Sequence, residues 1–184
     1  MAQIRCRACG FIMAEEKLGD VCPACGIPSK AFEPYTETMS KNRALILGLN
    51  LHPIALHFPQ AFAVAIPLFI LAGVAVEPSV GLLLLAAARV LAVLLPLSVL
   101  GAFACGLLDG RTRFKTFVTP LLSRKMIGGS VLILLSLAAG AVALLLGTDY
   151  PGRLYLLLLS ASCIACEIYL AGIGKTLMNA KLPG

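Results

Sequence analysis

Four cysteines near the N-terminus have the spacing of a tetrathiolate metal site. Cys6 and Cys9 form one CxxC pair. Cys22 and Cys25 form a second pair, separated from the first by twelve residues. Each CxxC turn points two thiolates at one centre, and the intervening segment lets the two pairs meet tetrahedrally. Soft thiolate ligands limit the metal to zinc or iron, and the spacing alone does not choose between them.

The segment around these cysteines is expected to fold only with its metal. Residues 1–37 contain no long periodic apolar pattern and are rich in Cys, Gly and Pro, which predicts knuckles and turns. Gly10 and Gly26 follow the two pairs and suit tight turns whose amides approach the sulfurs. A domain of fewer than about 40 residues usually needs a metal, disulfides or oligomerisation. The cytoplasmic location predicted below argues against disulfides.

The cysteine segments resemble the rubredoxin-like domain found at the end of rubrerythrins, over residues 4 to about 35. The residues that carry the resemblance are Cys6-Arg7-Ala8-Cys9-Gly10-Phe11-Ile12, Cys22-Pro23-Ala24-Cys25-Gly26 and Phe32. The resemblance implies one iron within four thiolates, cycling between ferric and ferrous states and passing one electron at a time. Zinc is the alternative, in which case the cysteines fold a docking module and no electron moves.

The rest of the chain has the composition of a membrane protein. Hydrophobic residues make up 59% of the 184 residues and charged residues only 13%, which lies outside the range of ordinary soluble domains. Four stretches reach the length of about 20 apolar residues that a spanning helix needs: 53–76, 80–108, 126–146 and 154–178. We therefore expect a small metal-knuckle domain, a linker or interfacial segment at 38–51, and an all-α four-helix transmembrane bundle at 52–184.

Basic residues predict the orientation of this bundle. The connector 109–125 carries five of them against one acid, and further ones flank the ends of the helical region: Arg111, Arg113, Lys115, Arg124 and Lys125, then Lys41, Arg43, Lys175 and Lys181. The opposite side shows only Glu77, Asp149 and Arg153. The positive-inside rule then predicts a protein of the cell inner membrane with both termini cytoplasmic. The net charge of +6 is explained by these flanks, so nucleic-acid binding is not expected.

The only two histidines lie where the first span begins. His52 and His57 belong to a pattern, HPxxxHFP, that together with the Gly-Leu-Leu-Asp-Gly end of the second span resembles domain of unknown function family 2231, over residues 50 to 146. The resemblance implies a four-helix integral membrane protein and carries no catalytic assignment. The matched residues are His52, Pro53, His57, Phe58 and Pro59.

A cofactor site is predicted at this end of the bundle. The first span begins and the second ends on the same side, so His52, His57, Asp109 and Arg111 are expected to converge. Such a group can ligate haem b, hydrogen-bond a quinone head group, or hold a metal ion. A bis-histidine haem would need a ligand from another helix, which leaves five-coordination, a non-histidine ligand or a homo-oligomer. The non-functional alternative is that His52 caps the helix, His57 bonds a freed carbonyl, and Asp109 pairs with Arg111.

Charges and thiols within the other spans are predicted to face inward. Arg89 and Glu167 are expected to face the bundle interior, because charge in lipid is costly. They either pair with each other or form part of a proton path. Cys163 and Cys166 are expected to pack as inert thiols among apolar neighbours.

The sequence as a whole predicts a membrane-bound electron-transfer protein, a carrier rather than a catalyst. A cytoplasmic Fe(Cys)4 centre would relay single electrons between a soluble redox protein and a haem or quinone at the bundle, in contact with membrane lipid. One alternative is a zinc-ribbon docking module on a membrane anchor, and a second is a quinone reductase.

Overall fold

The computed structural model describes residues 2–36 and 39–178 and divides between Ser40 and Lys41 into two compact units. The first unit contains a three-stranded antiparallel sheet of strands β1 (Gln3–Cys6), β2 (Ile12–Ala14) and β3 (Phe32–Tyr35), with β1 in the centre. Its register places Cys6 opposite Phe32. This small sheet was not part of the prediction, because strands of three or four residues leave no periodic pattern to read.

The second unit is helical. Its helices are α1 (Lys41–Gly48), α2 (Leu51–Ala75), α3 (Pro78–Phe114), α4 (Pro120–Leu145) and α5 (Gly152–Met178). Four helical stretches among the described residues are long and apolar enough to cross a membrane: Lys41–Ala75, Pro78–Phe114, Pro120–Leu145 and Gly152–Leu177. The predicted fold class is thus confirmed: a rubredoxin-like knuckle with a small sheet is followed by four long apolar helices, which indicates a multi-pass membrane protein.

The first helical stretch is broken near its start and continuous thereafter. Asn50 has a left-handed backbone, with φ of 49°, and separates α1 from α2. α2 then continues through Pro59 and Pro67. Part of the segment predicted to be an interfacial linker is therefore helical.

The connector between the second and third spans is shorter than the charge pattern suggested. α3 extends to Phe114, beyond the predicted end at 108, and α4 begins at Pro120, before the predicted start at 126. Arg111 and Arg113 lie in the last turn of α3, where basic side chains are favourable to the helix dipole. The Thr119 hydroxyl caps α4 by accepting from the amide of Leu122, at 3.3 Å. Because these helix ends are charged, apolar length alone underestimates both helices.

Small residues bring the helices together. The buried core contains five alanines, Ala63, Ala88, Ala92, Ala139 and Ala143, with Ile66, Ile70, Leu95, Leu132 and Leu156 between them. Small interfacial residues allow the close backbone approach that stabilises helices in lipid. Large apolar side chains point outward instead, including Leu83 at 71% and Leu145 at 82% exposure, as expected of lipid-facing positions.

Candidate metal centre and helical cavity

Two knuckles of matching geometry position the four thiols. In the first, the amide of Cys6 donates to the carbonyl of Phe11 at 2.9 Å and the amide of Gly10 donates to the carbonyl of Cys6 at 2.8 Å. In the second, Cys22 and Ile27 form the corresponding bond at 2.7 Å, and Gly26 donates to Cys22 at 2.8 Å.

Glycine is required at the corner of each knuckle. Gly10 has φ of 76° and Gly26 has φ of 72°, a left-handed conformation that costs other residues roughly 1–2 kcal/mol. This turn lets both cysteines of a pair face the same point.

The four sulfurs lie at the spacing of a tetrahedral metal site. The Sγ atoms of Cys6 and Cys25 are 3.8 Å apart, as are those of Cys9 and Cys22, and all four lie within 4.8 Å of one another. A tetrahedron with metal–sulfur bonds of about 2.3 Å has an edge of about 3.8 Å, whereas a disulfide would need about 2.05 Å. The thiols therefore fit one zinc or iron ion, and the geometry accommodates both metals.

Burial distinguishes the two cysteines within each pair. Cys6 and Cys22 are buried, while Cys9 and Cys25 are exposed. One thiol of each knuckle thus anchors the centre in the unit and the other reaches the surface.

The surroundings shift the pKa values of Cys6 and Cys25 in opposite directions. The backbone amide of Cys9 lowers the pKa of Cys6 to about 7. At Cys25 the amide of Ile27 acts in the same direction, but the thiol of Cys9 and burial outweigh it and raise the pKa of Cys25 to about 12. Successive thiolates repel each other, so a full set of four requires a cation among them.

A carboxylate ties the strand that carries Cys6 to the edge strand β3. Glu33 accepts from Arg5 at 2.6 Å and from Arg7 at 3.1 Å. The hydrogen bond from Arg5, followed by its charge and by Arg7, holds the pKa of Glu33 below its usual range, although burial opposes the shift. This bridge fixes the register of β3 beside the first knuckle.

The comparison with protein families agrees with this geometry. A family model described as the rubrerythrin, rubredoxin-like domain matches residues 5–33. The match covers both knuckles and ends within β3. It does not reach the helices, so the resemblance to domain of unknown function family 2231 stays a prediction. No curated protein and no solved structure matches the chain significantly.

His52 is the most constrained polar side chain at the predicted membrane site. Its ring is buried between helices, with Nδ1 3.0 Å from the carbonyl of Ala102 in α3 and Nε2 3.0 Å from Nζ of Lys125 in α4. Because a carbonyl only accepts, Nδ1 carries the proton and Nε2 accepts from the ammonium. Gly106 makes room for the ring, since a Cβ there would lie 2.9 Å from it.

A cavity of about 300 Å³ opens beside this pair within the helical unit. Its polar lining comes from all four spans: Asn50, His52, Gln60, Asp109, Arg113, Lys125, Glu167 and Lys175. Apolar side chains such as Val99, Phe103 and Leu132 line the remainder. The cavity lies where α2 and α4 begin and where α3 and α5 end.

The structure brings together only two of the four residues that were expected to converge. His52 and Asp109 line the cavity, whereas His57 and Arg111 are absent from its described lining. His57 is exposed and lies 2.8 Å from the carbonyl of Pro53, one turn away in its own helix. Arg111 is also exposed and donates to the carbonyl of Lys115 at 2.8 Å.

Two expected ion pairs are replaced by other contacts. Asp109 pairs with Arg113 at 3.7 Å, one helical turn on, instead of with Arg111. Arg89 donates to the carbonyl of Ala143 at 2.8 Å instead of pairing with Glu167. Among the buried side-chain atoms of the described residues, Oε1 of Glu167 has no hydrogen-bond partner.

Six polar residues line the cavity that were not among the predicted site residues: Asn50, Gln60, Arg113, Lys125, Glu167 and Lys175. The sequence prediction assigns Lys125 to the connector, because it starts the third span one residue later, at 126. In the structure Lys125 lies within α4. The spacing of Gly106 and Gly110 was a usable signal, since small residues one turn apart mark a close contact. In the structure these glycines face His52 and Leu122. Lys181, used in the orientation argument, lies outside the described residues.

Cys163 and Cys166 take structural positions, as the sequence predicted. Cys163 is fully buried in the apolar core. The thiol of Cys166 donates to the carbonyl of Gly128 at 3.4 Å.

Proposed function

We propose that this protein is a membrane-bound electron carrier. In this proposal an Fe(Cys)4 centre at Cys6, Cys9, Cys22 and Cys25 relays single electrons between a soluble redox protein and a haem or quinone associated with the helical bundle. The observation that carries the proposal is the tetrahedral spacing of four thiols in rubredoxin-like knuckles, on a chain with four helices apolar enough to span a membrane. Iron bound in such a site supplies one-electron exchange between two oxidation states.

The surface of the first unit supports exchange with a soluble partner. The sulfurs of Cys9 and Cys25 belong to exposed residues, so a partner can approach the centre closely. Phe11 and Val21 are exposed at 39% and 51% in the same knuckles. Exposed apolar residues beside a reactive group are typical of a weak, transient docking surface. We place this surface on the cytoplasmic side, because the basic flanks of the helices predict that orientation.

The proposal is tested by an optical spectrum of the purified full chain, before and after dithionite, with iron and zinc analysis of the same sample. We expect about one iron per chain and broad visible thiolate-to-iron bands that bleach on reduction. Cys25→Ser should abolish these bands, whereas Cys105→Ser, a matched change in α3, should retain them. A colourless protein with one zinc per chain would instead establish the docking-module alternative and end the redox proposal.

A further inference from the structure

We propose that the cavity beside His52 binds the head group of a membrane quinone. This inference rests on the proposed relay and extends it by naming quinone as the redox group in the bundle. Complete conversion of one quinone to its quinol takes two electrons, delivered by two successive ferrous-to-ferric turnovers of the centre, and two protons from water. Two polar groups in the cavity lining have complementary hydrogen-bonding requirements. Lys125 offers an ammonium donor, and Oε1 of Glu167 is an acceptor with no partner among the described residues.

A quinol satisfies both groups, and the quinone satisfies the ammonium. A quinone oxygen accepts a hydrogen bond from an ammonium, and a quinol hydroxyl donates one to a carboxylate. A buried acceptor without a hydrogen bond is destabilising, so a ligand hydroxyl that donates to Glu167 would stabilise the site. The apolar lining by Val99, Phe103 and Leu132 suits a hydrophobic ring.

Haem fits the same cavity poorly. Both ring nitrogens of His52 already contact Ala102 and Lys125 at 3.0 Å, so neither is free to ligate iron. His57, the other histidine of the chain, is exposed and does not line the cavity. A volume of about 300 Å³ lies at the lower end of the roughly 300–1,000 Å³ range of small-molecule pockets, which suits one substituted ring better than a macrocycle.

A phospholipid phosphate is also disfavoured. Of the three cationic side chains in the lining, Arg113 already pairs with Asp109 at 3.7 Å. The two carboxylates of the same lining, Asp109 and Glu167, oppose the binding of an anion. A neutral ring oxygen avoids that repulsion.

His52 and Gly106 fix the position of the ammonium. Lys125 lies between the His52 ring and Gly174 of α5, where a Cβ would be 3.6 Å from Nζ. A methyl group at Gly106 would push into the His52 ring. We therefore expect binding to depend on Gly106, although it is not a hydrogen-bonding residue.

The test is a binding titration of the zinc-loaded full chain in phosphatidylcholine nanodiscs with a short-chain ubiquinone, against empty nanodiscs. Because zinc is redox-silent, the result is independent of whether the native chain carries iron. We expect saturable binding of one quinone per chain. Lys125→Met should weaken it by about tenfold, as for loss of one hydrogen bond to a charged group, and Gly106→Ala should weaken it as well.

Matched controls separate this effect from general damage to the fold. Gly101 lies in the same helix with open space at its Cβ position, so Gly101→Ala should bind normally. Lys41→Met changes an exposed lysine and should also leave quinone binding unchanged. Uptake no greater than in empty nanodiscs, or equal binding by all variants, would overturn the proposal. So would a Soret band, or a tightly held phospholipid that excess quinone does not displace.

Discussion

Each cysteine of the cluster serves both the metal and the fold, because the first unit has almost no other core. Its buried apolar side chains among the described residues are Ile4, Cys6 and Cys22. Two of these three are ligands of the proposed centre. Metal binding and folding are therefore expected to be one event in this unit.

Cys9→Ser should unfold the first unit while the helices remain inserted. The substitution removes one thiolate from a site that requires four, and the helical unit buries a separate set of residues. We expect loss of the metal and fast amide hydrogen exchange across residues 3–35, with slow exchange preserved in α2 to α5. Metal analysis and exchange mass spectrometry measure both effects. Persistent protection of β1 and β3 in the variant would show that the metal does not fold the unit.

Glu33→Gln should destabilise the first unit only where Glu33 is ionised. The folded-state pKa of Glu33 is lowered from 4.5, first by the hydrogen bond from Arg5. Its contribution is therefore complete above about pH 4.5 and is lost as the pH falls through the depressed folded value. Thermal unfolding of zinc-loaded wild type and variant should differ at pH 7 and converge in acid. A difference that stays constant with pH would contradict this assignment.

At the scale of residues, the sequence was most informative where chemistry imposes spacing. Two CxxC pairs with glycine corners are sufficient to predict the tetrathiolate cluster, since few other arrangements bring four thiols together. The membrane site was only half predictable. The sequence is sufficient to assign His52 and Asp109 to the same end of the bundle. It does not reveal the partners of His52 in α3 and α4, because the rotation of each helix about its axis decides which side chains face inward.

Helix ends were harder to predict than helix existence. Apolar length reveals a span, but the last turn of α3 and the first turn of α4 are polar and were assigned to a connector. In the structure these turns are held by local contacts. Arg43 of α1 donates to the carbonyls of Thr112 and Arg113, each at 2.8 Å, and so satisfies backbone groups that a helix terminus leaves open.

Arg43→Ala should release α1 from the end of α3. The variant loses two hydrogen bonds from a charged donor, worth about 2 kcal/mol of local stability. We expect faster amide exchange in Lys41–Gly48 and in the last turn of α3, with the core of α2 unchanged. Arg124→Ala provides the control, because Arg124 is also basic and lies at an exposed position of α4. Equal exchange in the two variants would mean that Arg43 does not stabilise this helix end.

The molecule combines two units that bury their residues separately. We expect a metal to fold the first unit, whereas small buried residues pack the helices of the second. Such a division explains why sequence reasoning could treat the two halves independently and predict the fold class of each. It could not predict the cavity, since a cavity is a property of several helices packed together.

The charges at the two ends of the bundle predict its orientation in the membrane. In the proposed function, that orientation decides which compartment supplies the redox partner. Val118 is 86% exposed in the connector between α3 and α4, and Tyr150 is 78% exposed at the opposite end. Because basic flanks remain cytoplasmic, a membrane-impermeant thiol reagent should label Tyr150→Cys in spheroplasts with intact inner membranes, but label Val118→Cys only after permeabilisation. Labelling of wild type measures the background from native cysteines. The reverse pattern would place the thiol cluster outside the cytoplasm and require an extracytoplasmic electron donor.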